Sequence, residues 1–284
     1  MQMPAREFRL LTTPLYALLF AFCIFAAGTS AAQQATQHYE PTEGQPGKDV
    51  VWVPTPDALV ERMLDMARVT PQDFVIDLGS GDGRTVIAAA KRGVTALGVE
   101  YNERLVDLAR ERAAQAGVAD KARFVQGDIY EADISPASVM VLFLLSENLD
   151  RLALKFLDLK PGSRIVLNYF TVSGWTPDHS EHISTCSTWC TAHLYIVPAK
   201  VEGDWQIDGG TLTLRQQFQT VRGTLTRGGA TLTIDDGQLR GDRISFIVDK
   251  TRYEGRVEGT QMIGERTGPD SGNWTANWTR PANR

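Results

Sequence analysis

The stretch Asp77-Leu78-Gly79-Ser80-Gly81-Asp82-Gly83 decides the fold. It follows the apolar run Phe74 to Leu78 and precedes the Ala-rich segment Arg84 to Arg92. A strand, a Gly loop and a helix in that order describe the carboxyl edge of an open α/β sheet, where such sheets bind ligands. Glycines let the backbone turn sharply and approach a ligand closely. The spacing is G-x-G-x-G. A dinucleotide fingerprint needs its third Gly at position 84, which is Arg84, so a nicotinamide oxidoreductase is disfavoured.

The pattern extends on both sides of that loop. Pro56 to Arg68 predicts a helix, with Leu59, Val60, Met63, Leu64 and Ala67 on one face. Downstream come a strand over Thr95 to Glu100, a helix over Glu103 to Ala116 and a strand over Ala122 to Gln126. Val139 to Leu145 is apolar throughout, as in the middle of a parallel sheet. A helix over Leu149 to Leu157, the turn Lys160-Pro161-Gly162 and a strand over Arg164 to Phe170 complete the series. This alternation predicts a doubly wound, mostly parallel α/β layer.

Three acids fall at strand ends. Asp77 stands two positions before the first Gly of the loop, where a carboxylate repels a pyrophosphate but reaches an ammonium directly or through water. Glu100 closes Leu97-Gly98-Val99-Glu100 and can accept both hydroxyls of a ribose. Asp128 follows the third strand in Gln126-Gly127-Asp128-Ile129 and can accept from an adenine amino group, with Ile129 against the ring. Singly, each acid is more often a helix cap. Together they match S-adenosylmethionine (SAM), which carries an ammonium, a ribose and an adenine but no phosphate.

These residues resemble the class I, seven-β-strand SAM-dependent methyltransferases. Within that family the chain is similar to small bacterial members and to the lysine methyltransferases that include the mitochondrial ATP-synthase c-subunit enzyme. The resemblance runs over roughly 52–197, through Val53-Pro54-Thr55-Pro56, the Asp77–Gly83 loop with Arg84, Gly98-Val99-Glu100, Leu105 to Arg112, Gly127-Asp128, Leu142 to Leu145 and Lys160-Pro161-Gly162. It implies SAM contacts at Asp77, Gly79, Gly81, Glu100 and Asp128, and places Val53 to Thr55 near a lid on the substrate side. Such relatives tend to carry Pro in the turn after the fourth strand. Here that turn reads Ser146-Glu147-Asn148, which leaves the methyl acceptor, protein or small molecule, open.

SAM is a reactive sulfonium, so catalysis is mainly the in-line placement of the acceptor. Glu147 and Asn148 could orient an acceptor amine; the plainer reading is the start of the helix before Leu149. Tyr169 and Phe170 could line an acceptor channel or simply pack in the core. Cys186 and Cys190, near His179 and His182, suit a disulfide in an exported chain; a zinc site or free thiols are the alternatives, and the expectation is no metal. His38 and His193 are given no role.

The composition shifts near residue 199, and 13 of the 25 Gly residues lie beyond it. Short strand patterns over 211–218, 223–227, 231–235, 244–249, 253–257 and 273–278 alternate with Gly-containing turns. They predict an antiparallel meander or small open barrel over 199–284. Asn273 and Asn277 fit the N-x-T glycosylation pattern, or polar–aromatic alternation on an edge strand.

The amino terminus reads as a signal peptide over 1–32. Arg6 and Arg9 precede the apolar run Leu15 to Ala27, and Ser30 and Ala32 fit a cleavage site. The run is short for a membrane span, which needs ~20 residues, so no stable span is expected after cleavage; an uncleaved membrane anchor is the alternative. Residues 33–50, with Pro41, Gly44, Pro46 and Gly47, read as a flexible lead-in, and 51–198 as the SAM-binding domain. The remaining bulk properties, 43% hydrophobic and 22% charged, are those of a packed globular chain. A net charge of −5 argues against nucleic acid as partner. The expectation is thus an exported, periplasmic methyltransferase acting on an unidentified acceptor, with a protein lysine among the candidates. Because SAM is a cytosolic metabolite, the alternative is an exported non-catalytic module whose β domain engages an envelope partner.

Overall fold

The computed structural model describes residue 2, residues 39–184 and residues 186–281. Arg6, Arg9, Cys23, the Ala32 cleavage site and His38 lie outside the described residues. From Pro41 onward the chain forms one compact unit.

The first layer runs α1 (Asp57–Met66), β1 (Phe74–Leu78), α2 (Arg84–Lys91), β2 (Thr95–Glu100), α3 (Glu103–Gln115), β3 (Ala122–Gln126), β4 (Val139–Leu142), α4 (Ser146–Phe156), β5 (Arg164–Asn168), β6 (His179–His182) and β7 (Thr191–Ile196). The sheet order is β3-β2-β1-β4-β5-β7-β6. The first five strands are parallel, and β7 runs antiparallel to both β5 and β6. Period-2 alternation splits the central strands between two cores. Val75, Val139, Val141 and Val166 face α1, α2 and α3. Ile76, Met140, Leu142, Ile165 and Leu167 face α4. The doubly wound, mostly parallel sheet that the alternation predicts is therefore present.

Two strands end earlier than the sequence reading places them, both at the carboxyl edge. The fourth strand ends at Leu142, three residues early, and α4 begins at Ser146 rather than Leu149. The fifth strand stops at Asn168, because Tyr169 turns into the left-handed region at φ 63°. Both changes release aromatic residues from the sheet at the edge where β1 and β4 diverge. β6 has no sequence signal, since His179-Ser180-Glu181-His182 carries no apolar alternation.

The second layer comprises β8 (Gly203–Ile207), β9 (Gly210–Gln217), β10 (Thr220–Arg227), β11 (Ala230–Thr233), β12 (Asp235–Arg240), β13 (Arg243–Val248), β14 (Thr251–Glu258), β15 (Gln261–Thr267) and β16 (Gly272–Pro281). Sequential antiparallel pairing runs from β12 to β16, then through β8 and β9 to β10, and β10 pairs back with β12. The sheet thus closes into a barrel of eight strands, with β11 added beside β10, rather than staying open. Its interior holds Trp205, Phe246, Tyr253 and Trp274. β16 is flanked by β15 and β8, so Asn273 and Asn277 sit on an interior strand of the sheet, not on an edge.

The barrel is tied to the first layer. Ala199 donates its N–H to the Gly241 carbonyl at 2.8 Å. Gln219 Nε2 donates to the Thr176 carbonyl at 2.7 Å. Phe218 stacks on Trp175 with ring centroids 5.0 Å apart.

Candidate active site

Strand order reverses between β1 and β4, and the loops after these strands part there to leave a crevice. A cavity of about 910 Å³, open mouth included, occupies this position. Asp77, Gly79, Gly81, Glu100 and Ile129 all line it.

The Gly loop is fastened to β2. Gly79 and Ser80 donate their N–H groups to the Val99 carbonyl at 2.8 and 3.1 Å. Gly81 donates to Glu100 Oε2 at 2.9 Å, and Asn102 N–H donates to Oε1 at 2.9 Å. Gly81 has φ 54°, and a Cβ there would lie 2.5 Å from Trp52 Nε1. Gly83 has a different task. It caps α2 at φ 83°, and a Cβ would meet the Ala109 methyl at 2.7 Å, so it lets α3 pack closely.

The charges of the site are unequal. Asp82 is buried, which alone would raise its pKa, but Arg84 and Arg112 outweigh burial and hold its carboxyl low. Asp77 is also buried. Burial, then the nearby Glu100 and Asp82 charges, push its carboxyl well above the usual range, against a hydrogen bond with Thr85. Among the described residues no cationic side chain pairs with Asp77 or Glu100.

Residues 45–51, most of them in the stretch read as a lead-in, also line the cavity, as do Val53 to Thr55. Gly44 N–H donates to the Trp52 carbonyl and Trp52 N–H to the Gln45 carbonyl, at 2.8 and 2.9 Å. Lys48 then reaches Asp128 Oδ2 at 2.5 Å and lies 5.0 Å from the centre of the Tyr101 ring. Asp128 is not itself a lining residue. Lys48 and the Tyr130 N–H, at 2.9 Å, hold its carboxyl below the usual range.

The acceptor-side candidates separate. Asn148 is buried and lines the cavity. Its Nδ2 donates to the Tyr130 hydroxyl at 2.7 Å, while Oδ1 has no donor among the described residues. Glu147, one residue earlier on α4, is exposed and does not line the cavity. Tyr169 is 48% exposed and joins Phe170 in a ring cluster. Phe143, which the apolar pattern alone places inside a strand, lines the cavity and touches Phe170. Cys186 and Cys190 form a disulfide, and His179 bonds Glu181.

These groups fit SAM. The cavity presents two carboxylates that lack cations and a backbone loop open to close approach. An ammonium and a sulfonium complement such a site, and a pyrophosphate does not.

The ANTKMT methyltransferase domain matches residues 77–179. A protein-lysine N-methyltransferase of Saccharolobus islandicus is 39% identical over 52% of this chain and 94% of its own length. The ATP-synthase C-subunit lysine N-methyltransferase of Mus musculus is 37% identical over 49% of this chain, and the match spans 56% of the mouse protein. A solved RNA methyltransferase from Salinibacter ruber, in complex with S-adenosyl-L-homocysteine, is 41% identical over 52% of this chain and 96% of its own, with a TM-score of 0.49. With the Gly loop, Asp77 and Glu100 assembled around one cavity, the chain belongs to the class I SAM-dependent methyltransferases, the family of the Saccharolobus islandicus relative.

Proposed function

We propose that the enzyme methylates the side-chain amine of a protein lysine, and that it does so outside the cytoplasm. The observation that carries the acceptor reading is Asn148 Oδ1, a buried amide oxygen at the cavity wall with no donor among the described residues. A buried acceptor left unpaired is costly, and an amine N–H supplies what it lacks. The lysine N-methyltransferase relatives support the same acceptor class.

When bound, SAM supplies a sulfonium methyl group: the amine lone pair forms the new C–N bond as the C–S bond breaks, S-adenosylhomocysteine leaves, and the amine proton passes to water. The chain's task is placement. Asp77 faces the ammonium of the methionine part, and the Gly79 and Gly81 backbone accommodates that part. Glu100 accepts the ribose hydroxyls. Its two oxygens already hold two N–H groups but retain lone pairs for more. Ile129 lies against the adenine, and Asp128, outside the lining, holds Lys48 over the cleft. Asn148 orients the incoming amine. Glu147, exposed on the first turn of α4, contacts the acceptor chain rather than the amine.

Incubation with SAM and lysine-containing protein extracts, read by mass spectrometry, tests the acceptor. Methylene mass increments on lysine, reduced by Asn148→Ala with little change in SAM affinity, are expected. Transfer to RNA instead of protein contradicts the reading.

The export proposal rests on the Arg6/Arg9, apolar-run and Ser30-x-Ala32 order and on the Cys186–Cys190 disulfide, a bond that persists in oxidising compartments. The processed chain then begins near Gln33 in the bacterial periplasm. Amino-terminal sequencing checks this: an intact Met1 on a soluble cytosolic form contradicts it, and an intact Met1 in the membrane fraction indicates an anchor.

A further inference from the structure

One wall of the cofactor cavity continues into a cluster of four aromatic rings. Phe143, which lines the cavity, lies 6.2 Å from Phe170 and 6.1 Å from Trp189, centroid to centroid. Phe170 and Trp189 are 5.6 Å apart. Tyr169 meets Trp189 edge-on at 4.7 Å and Phe170 at 5.3 Å. The rings come from three separate places: the turn after β4, the end of β5, and the disulfide loop between β6 and β7.

This cluster is not ordinary core. Tyr169 is 48% exposed and Trp189 37% exposed. Both have left-handed backbones, at φ 63° and 55°, which bulky residues rarely adopt. Such conformations persist where surrounding contacts impose them. Here several contacts do. Tyr169 N–H donates to the Thr191 carbonyl at 2.7 Å, and its own carbonyl lies 3.1 Å from His193 Nε2. His193 Nδ1 in turn lies 2.8 Å from the Ser180 hydroxyl. On the other side, the Ile183 N–H holds the Cys190 carbonyl at 2.9 Å, and the Cys186–Cys190 bond closes the loop that carries Trp189.

We propose that Phe143, Tyr169, Phe170 and Trp189 form the binding platform for the methylated ammonium of the acceptor lysine, with Trp189 held in place by the disulfide. The proposal rests on the lysine reading and names where that side chain is held. Aromatic faces attract an alkylammonium through the ring quadrupole, and the aromatic cages that read methyl-lysine use this force. A methylated ammonium has few N–H groups left to donate, so rings suit it better than carboxylates do. Continuity through Phe143 puts the platform beside the cavity where the methyl group is delivered. His193 acts as a positioning residue for Tyr169, through its carbonyl.

The test is calorimetric titration of the full, oxidised protein loaded with S-adenosylhomocysteine. The probes are Nα-acetyl-Nε-trimethyllysine amide and its uncharged isostere with carbon in place of the quaternary nitrogen. The charged probe is expected to bind about three- to thirtyfold more tightly. Trp189→Ala, and separately reduction of the disulfide in the wild-type protein, should remove most of that preference and leave S-adenosylhomocysteine affinity unchanged. Trp189→Phe should retain part of it. Equal binding of the two probes overturns the platform, and so does an undiminished preference in both Trp189→Ala and the reduced protein. Lysine methylation that persists in either case leaves the proposed function standing, whereas its absence from the wild-type protein counts against that function.

Discussion

The Glu100 carboxylate accepts the Gly81 N–H at 2.9 Å, so the acid that ends β2 also fixes the loop that ends β1. One side chain therefore shapes the cavity and presents acceptor atoms to it. Glu100→Ala removes both functions. Hydrogen bonds to a charged group are worth about 1.5–3 kcal/mol each, partly offset by water. SAM affinity should fall roughly ten- to a hundredfold, at about 1.4 kcal/mol per decade. Glu100→Gln should retain part of it. Titration of both variants checks the order.

Asp77 predicts a pH dependence. Burial and the neighbouring Glu100 charge raise its folded pKa well above the unfolded value of about 3.9. An acid raised on folding adds stability that is full below its unfolded pKa and is lost as pH rises through the folded one. Unliganded wild type should therefore lose stability relative to Asp77→Asn as pH climbs from about 4 through that folded value. Bound SAM, which brings a positive charge, should reduce this difference. Thermal melting of both proteins across pH, with and without SAM, measures it. Parallel curves contradict the account.

Lys48 pins residues 45–51 through Asp128 across the cofactor cleft. Both groups are partly exposed, so the contribution is small and screened by salt. Lys48→Ala should speed S-adenosylhomocysteine release about two- to fivefold at low salt and by less at high salt. Stopped-flow dissociation at two ionic strengths checks it. A rate that does not respond to the substitution contradicts a closing role.

Gly255 lies in the middle of β14, and a Cβ there would sit 2.6 Å from Trp274 Cζ2 and 2.7 Å from the Ile263 carbonyl oxygen. Trp274 is buried and donates to the Glu254 and Glu265 carbonyls at 3.2 Å. Gly255→Ala should destabilise the barrel by about 1–3 kcal/mol through overpacking. SAM affinity should stay near wild type, since the cavity lies in the first layer. Denaturant unfolding alongside calorimetry separates the two effects.

The strands that carry the cofactor site are legible because their signals are local. Phe74–Leu78, Thr95–Glu100 and Ala122–Gln126 are short strand patterns that end at an acid, a glycine or both, and the structure gives the same limits. The barrel is less legible where glycine serves close packing. Gly237 reads as a turn residue but sits inside β12, where a Cβ would approach the Val221 carbonyl oxygen to 2.2 Å. The Lys48 clasp and the Trp189 platform have no local signal. Lys48 and Asp128 are 80 positions apart, and Trp189 meets Phe143 only because β7 returns antiparallel beside β5. Such partnerships are made by topology, not by spacing.

The most direct measurement is calorimetric titration of SAM into the folded wild-type protein and into Gly81→Arg. Gly81 has a left-handed backbone at the cavity wall, and an Arg side chain there fills the space that the ligand needs while the two sheets remain folded. Saturable one-to-one binding to wild type, and none to a folded Gly81→Arg protein, is the result predicted. No binding to wild type at millimolar SAM, or equal binding to both proteins, would contradict the assignment of this cavity as the methyl-donor site.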